Sequence, residues 1–314
     1  MTASIRVPGP GSIPKSREGS LALTERAALG VFFSMSRWVW CDGWVIPANE
    51  LRISPFDRGL TVGLGLFETL LAIDGRPVFL DRHLARHADG CRRFGWSELT
   101  RETIRPAILD LLTANGLEKG RARVRIFRTA GEGLREDPVA GPEARLLITA
   151  GEVSGGSASV SLTLSPWVRN DRSALAGLKS ASCAENSLAL SAARKAGFDE
   201  PLFLNSRGEI CETATANLFI VKDGRIFTPP LASGCLPGVT RGWLLESAGS
   251  KAEERVLLPG DLEAADEWFL TSAVRGVIPV GRLGEDRRES PGEWTFSFQK
   301  AWENAVVQSA NEEL

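Results

Sequence analysis

Two stretches decide how this chain reads: GLKSASCAENSLAL at residues 177–190 and GEICETATANLFIV at residues 208–221. The first holds Lys179 and the second Glu212. A lysine just ahead of a helix can form a Schiff base with a carbonyl compound, and a carboxylate brought to the same pocket can keep a pyridine nitrogen protonated.

Local signals place both residues. Ser182 followed three residues later by Glu185 reads as a capping box, opening a helix that Gly197 ends. Lys179 is therefore expected just before a helix N-terminus, whose positive end disfavours the ammonium form. Residues 202–204, 209–212 and 217–221 read as strands, and Asp223-Gly224 turns the last of them into 226–228. Pro237, Gly238, Val239 and Thr240 open a helix to about residue 248, and its start offers backbone N–H groups and a hydroxyl as a phosphate seat. Residues 267–270 are strand-like.

Upstream, Asp42-Gly43 marks a hairpin between 38–41 and 44–46, and residues 66–73 form an apolar strand ended by Asp74-Gly75. Helices follow at about 81–94, stopped by Gly95, and 101–115, stopped by Gly116, with strands at 124–129 and 145–149. This makes 36–150 a small α+β domain. The stretch GEVSGGSAS at 151–159 is the expected linker, and 160–314 a larger domain. Residues 1–35, broken by Pro8, Pro10 and Pro14, read as a poorly ordered extension, and RAALGVFFSMS at 26–36 only superficially resembles a signal segment.

The composition narrows the function. With 314 residues, 43% of them apolar, the chain can bury two cores, and a net charge of −2 gives no electrostatic footprint for nucleic acid. Five scattered cysteines with no C-x-x-C pair fit reduced thiols in a cytosolic protein, and no segment is long and apolar enough to span a membrane. His83 and His87, four apart, lack the glutamate of H-E-x-x-H, so no metal site is expected. Gly63-Leu64-Gly65 lacks the third glycine of a dinucleotide fingerprint, and its glycines are expected to permit close backbone packing. Arg123 and Arg125 fall on one strand face, with Arg128 on the other beside Val124 and Ile126.

Taken together, ISPFDRGLTVGLGLFETLLAIDGRPVFLDRHLARH at 53–87, the segment 179–229 and LPGVTR at 236–241 resemble the class IV, or fold type IV, pyridoxal-phosphate enzymes. These include branched-chain and D-amino-acid aminotransferases and aminodeoxychorismate lyases. The resemblance implies a mixed α/β (α+β) subunit with a small N-terminal domain and a larger one built on a barrel-like sheet. It also implies a homodimer, with pyridoxal 5'-phosphate held between the domains. It makes Lys179 the Schiff-base lysine and proton shuttle, and Glu212 the partner of the pyridine nitrogen. Arg86, in H-x-x-R, becomes a phosphate ligand, with Val239 and Thr240 at the helix start and Thr271 and Ser272 beyond the strand. Leu236 would lie against the ring face, while Asn217 would support its strand.

Within the family, Phe67-Glu68-Thr69, Gly75-Arg76-Pro77 and Gly90-Cys91 look more like the lyases than the branched-chain enzymes, which usually read F-E-G. The nearest match to the R-x-H carboxylate trap of D-amino-acid transaminases is Arg135-Glu136-Asp137, without the histidine. The chain contains no tyrosine. Cys183 or Ala184 stands where branched-chain enzymes place one near the cofactor, and Val62 fills another commonly tyrosine position. The expected activity is therefore 4-amino-4-deoxychorismate lyase, in the 4-aminobenzoate branch of folate synthesis, with Arg128 and Arg135 meeting substrate, Arg135 in its own subunit or in the partner. Transamination of a D- or branched-chain amino acid is the alternative, and cofactor binding without turnover the remote one.

Overall fold

Asp42 and Gly43 both take positive φ, 48° and 105°, and fold β1 (Trp38–Cys41) back onto β2 (Trp44–Pro47). In the computed structural model, which describes residues 37–141, 144–153 and 159–312, this hairpin forms the edge of a six-stranded antiparallel sheet. The strand order is β2-β1-β6-β5-β3-β4, with β3 at Gly65–Ile73, β4 at Arg76–Pro77, β5 at Arg121–Thr129 and β6 at Leu146–Glu152. β6 thus runs two residues into the expected linker. The rest of that linker lies partly outside the described residues, and the N-terminal stretch wholly so.

The helices Leu80–Phe94 and Arg101–Ala114 cover one face of this sheet, where Leu84, Ile104, Ile108 and Leu111 meet Leu70, Val124, Ile126 and Ile148. Gly95 closes the first helix at φ 70°, a conformation that favours glycine. The opposite face is different in kind. Alternation brings Phe67 and Thr69 of β3 together with Arg123, Arg125 and Phe127 of β5 on that side, all half-buried, while Leu71 joins the aromatic core of the second sheet.

The second sheet is mixed and nine-stranded. Its order is β12-β11-β10-β13-β14-β7-β8-β9, with β15 (Asp286–Arg287) added to β14. The strands run from β7 (Val160–Leu164), β8 (Glu200–Leu204), β9 (Ile210–Thr213), β10 (Asn217–Lys222) and β11 (Arg225–Thr228) to β12 (Ala252–Glu254), β13 (Glu267–Ser272) and β14 (Gly276–Leu283). The sheet curls until its edges approach, so that Ile210 of the edge strand β9 donates to Leu257 O just beyond the opposite edge strand β12. Leu218, Ile220, Trp268, Leu270 and Ile278 fill one side of it. Phe219, Phe269, Trp243 and Trp302 fill the other, under the helices Val239–Ala248 and Glu293–Asn311.

A buried arginine fixes the loop that follows β5. The Arg58 guanidinium donates to six backbone carbonyls, those of Ala130, Gly131, Glu132, Leu134, Asp137 and Val139. Gly133 leaves it room, since a Cβ there would sit 2.8 Å from Arg58 Cζ. Beside it, buried Asp57 caps the short helix Arg58–Thr61 through Gly59 N–H and accepts from Thr129 Oγ1 at 2.6 Å. Arg58→Met would strip the donor from several of these carbonyls, a loss of at least about 3 kcal/mol. Chemical denaturation should show that loss, and amide exchange should quicken across 130–141 while β3 stays protected. An unchanged midpoint would mean that other donors hold the loop.

Candidate active site

Lys179 is held by backbone pairing. Phe67 N–H donates to Lys179 O at 3.0 Å and Ala181 N–H to Gly65 O at 2.8 Å, so the lysine segment continues the first sheet at the start of β3. The glycines make this approach possible. A Cβ on Gly65 would meet Ala181 Cβ at 3.2 Å, and Gly63 takes φ +68° with its carbonyl accepting from Ser182 Oγ at 3.0 Å. Lys179 Nζ then stands 4.6 Å from the Phe67 ring centroid. Burial, with Arg86 adding to it, pulls the amine down to about 8 against the opposing pull of Glu68 and Glu212.

The expected capping box does not form. The helix begins at Ala184, with Cys183 as an N-cap that makes no side-chain bond. Both box residues are taken elsewhere: Ser182 holds Gly63 O, and Glu185 accepts from Arg169 at 2.7 Å.

Arg86 connects the two sheets. Its Nε and Nη2 grip buried Glu68 of β3 at 2.9 and 2.6 Å, and its Nη1 donates to Pro237 O at 3.1 Å. His83 Nδ1 lies 2.7 Å from the same carboxylate. Burial favours the neutral acid, but Arg86 and His83 outweigh it and hold Glu68 far below the usual carboxylate range. Just past Pro237 the Val239–Ala248 helix starts at Gly238 with no side-chain cap. Asn217 steadies this entry, donating to Leu236 O at 2.9 Å, and a Cβ on Gly238 would collide with its Oδ1. Thr271, the cross-strand partner of Asn217, and Thr240 of the helix's first turn are both buried, and neither Oγ1 has a partner among the described residues. Ser272 follows Thr271 at the partly exposed end of β13.

Glu212 of β9 accepts from Leu236 N–H at 3.0 Å. Its other oxygen lies 3.6 Å from Arg169 Nε. Burial raises its pKa, opposed first by Arg169 and then by the Leu236 N–H and Lys179. No sequence pattern marked Arg169. Its guanidinium stacks on Phe203 at 4.3 Å and donates to Glu185 and Asn186, leaving Nη2 without a partner among the described residues.

Within one copy of the chain, neither Arg128 nor Arg135 is brought beside Lys179. Arg128 points to the helix-covered side of the first sheet, where it donates to Ser97 O and Oγ and packs on Trp96. Strand alternation puts it there, on the face of Val124 and Ile126. Arg135 is exposed in the loop that Arg58 holds and makes no bond that ties it to Lys179. Arg125 is there instead, its Cζ 4.1 Å from the centroid of the same Phe67 ring. Alternation alone could have found it, once the Lys179 segment was known to pair with β3.

The chain belongs to the class IV aminotransferases, enzymes whose family model matches residues 65–283. It is 31% identical over 257 residues to a putative branched-chain-amino-acid aminotransferase of Methanocaldococcus jannaschii, covering 77% of this chain and 86% of that one. Its fold is similar to that of the 4-amino-4-deoxychorismate lyase of Pseudomonas aeruginosa, at 33% identity, a TM-score of 0.73 and coverage of 85% and 98%. The branched-chain aminotransferase of Thermoproteus uzoniensis superposes with a TM-score of 0.80 at 25% identity, over 89% of this chain and 97% of that one. The mixed α/β architecture is thus fold type IV.

The lowered amine gives a direct check. In cofactor-free protein, acylation of Lys179 should reach half its limiting rate near pH 8, because the neutral amine reacts and its pKa lies there. Surface lysines should still be gaining reactivity above about pH 10. Titration of Lys179 alongside them would remove the electrostatic account given above.

Proposed function

We propose that this chain binds pyridoxal 5'-phosphate and acts as a 4-amino-4-deoxychorismate lyase, forming 4-aminobenzoate and pyruvate. The observation that carries the cofactor assignment is the set of groups around the Pro237 turn: two buried hydroxyls without partners, an uncapped helix start, and Arg86. The hydroxyls and the helix start are donors without an acceptor among the described residues, and Arg86, bonded to Glu68 and Pro237 O, adds positive charge beside them, which suits a phosphate. Arg86, Val239, Thr240, Thr271 and Ser272 would hold it, with Leu236 against the ring. Glu212 would accept the ring N–H, kept anionic against burial by Arg169 and by Leu236 N–H. Lys179, with its amine near neutrality at about pH 8, would hold the cofactor covalently and then carry the proton taken from the substrate carbon bearing nitrogen. When bound, the cofactor supplies the electron sink for the charge left behind.

Thr69 favours the lyase over a transaminase. It lies on the open face of β3 directly across from Arg125, giving the cleft a hydroxyl beside a cation. The 33% identity to a lyase supports the same reading, and the chain's lack of tyrosine fits it. The similarity to branched-chain aminotransferases supports transamination as the second reading. The proposal extends to a cytosolic homodimer in the folate branch. Phe56 and Leu60, 72% and 69% exposed on either side of Arg58, with Leu134 on the loop it holds, supply an apolar face for a second copy.

Two measurements test this. Arg86→Ala should weaken pyridoxal phosphate binding to the cofactor-free protein roughly ten- to a hundredfold, since a charge-assisted bond is lost. Equal affinity would remove Arg86 from the phosphate site. With aminodeoxychorismate as sole substrate, the holoenzyme should give many turnovers, with 4-aminobenzoate and pyruvate in equal amounts, because no keto acid is needed to restore it. No more than one turnover, with rapid exchange between leucine or D-alanine and 2-oxoglutarate, would make it a transaminase.

A further inference from the structure

One enclosed carboxylate ties together three segments that lead into the candidate site. Asp171 stands two residues after Arg169, on the stretch that runs to Lys179, and its side chain is almost wholly removed from solvent. Its Oδ1 accepts from Ser206 N–H at 3.0 Å and from Ser206 Oγ at 2.6 Å, while its Oδ2 pairs with Arg207 Nη1. Arg207 carries the link onward, its Nη2 donating to Ala232 O at 3.0 Å. Next to it, buried Asn205 donates to Ser233 O at 3.4 Å. The turn at 231–234 also packs on Asp171 directly, since a Cβ on Gly234, at φ +93°, would sit 2.9 Å from Asp171 Cα.

Two of the segments so joined end on Glu212. From the first, Arg169 sets its Nε 3.6 Å from one Glu212 oxygen, its own backbone N–H bonded to Leu204 O at 2.7 Å. From the second, Leu236, two residues past Gly234, donates its N–H to the other oxygen at 3.0 Å. Burial pushes the Glu212 carboxyl up, and Arg169 and Leu236 N–H are the strongest influences against it, ahead of Lys179 and Arg86. A buried carboxylate stays charged only while such partners keep their places. The bonds of Asp171 run to Ser206 and Arg207, so its influence on Glu212 passes through the placement of Arg169 and Leu236.

We propose that Asp171 is a positioning residue for Glu212, holding the 169–171 segment against the 231–236 turn so that Arg169 and Leu236 N–H stay on the two Glu212 oxygens. This rests on the reading of Glu212 as the partner of the cofactor ring nitrogen, and it deepens that reading. With Asp171 neutralised, the two segments can part and both supports weaken. The Glu212 pKa then rises, because burial is less opposed. A neutral Glu212 pairs more weakly with a protonated ring, so as pH falls that partner is lost at a higher pH than in the wild type.

The test uses the full-length protein and pyridoxal phosphate, with affinity measured across pH. Asp171→Asn keeps an oxygen for Ser206 but removes the charge that holds Arg207, and Arg207→Met removes the reach to Ala232 O. In each, the fall in cofactor affinity toward acid pH should set in about half a pH unit or more above the wild type, while affinity on the alkaline side of that fall stays within about threefold. Arg207→Lys should recover part of the shift, and the double variant should move no further than the larger single one, because both act through one link. Glu267→Gln, which weakens the start of the Glu293–Asn311 helix, should lower the denaturation midpoint without moving the acid limb. An acid limb that stays in place in Asp171→Asn, or moves as far in Glu267→Gln, overturns the proposal. In cofactor-free Asp171→Asn protein, Leu236 N–H should exchange faster while β3 keeps its protection, and unchanged exchange at Leu236 overturns the link as well. A wild type that binds no pyridoxal phosphate would remove the reading of Glu212 and leave the link to be judged on that exchange alone.

Discussion

The grip of Arg86 on Glu68 is the interaction on which the geometry of the site depends. Glu68 comes from the centre of β3, Arg86 from the helix packed over it, and the remaining Arg86 donor reaches Pro237 at the entry to a helix of the second sheet. One side chain therefore sets the relation between the strand that carries the Lys179 pairing and the Pro237 turn with its uncapped helix start. A buried pair of this kind gains little net stability, because the desolvation of both ions offsets their attraction. What it gives is position: with both carboxylate oxygens taken, Arg86 has one orientation left. Removing either partner would leave an uncompensated charge inside the protein, so the pair resists piecemeal change.

That pair also shapes the charge of the pocket. Arg86 adds to the effect of burial in lowering the Lys179 amine, and Arg125 contributes in the same direction. Glu68 cannot cancel this, being already committed to Arg86 and His83. The cleft is left with more positive than negative charge, which suits an anionic ligand such as the proposed phosphate. Burial first, and then this positive surplus, bring the Lys179 amine down to about 8, so that a usable fraction is neutral near physiological pH.

Much of the fold was legible because it rests on local chemistry. Asp42-Gly43 dictated its hairpin, Gly95 stopped its helix, and the framed residues Lys179, Glu212 and Arg86 converge around the Pro237 turn. What escaped depends on partners far along the chain. Arg58 finds its six carbonyls more than seventy residues away, and no local pattern announces it. β14 was missed because Pro279 sits inside it, paired with Phe269, where proline removes a ladder donor and argues against a strand. Ser182 and Glu185 had the spacing of a capping box, yet tertiary partners claimed both. Arg125 was placed on the face opposite Val124 and Ile126 and given no role, because alternation sorts residues into two faces without saying which face carries the site.

Two helix starts in the second half of the chain are treated differently, and the difference marks the cleft. Away from the cleft, two buried carboxylates are matched in detail: Asp57 caps its helix, and Glu267 accepts from Trp294 N, Thr295 N and Thr295 Oγ1 to close the start of the Glu293–Asn311 helix. The Val239–Ala248 helix, in the same layer, receives no such cap, and the hydroxyls of Thr240 and Thr271 beside it are left open. An acidic residue there would stabilise the free protein and compete with a bound anion. At this helix start, the donors left without partners among the described residues set the charge that a ligand would have to bring.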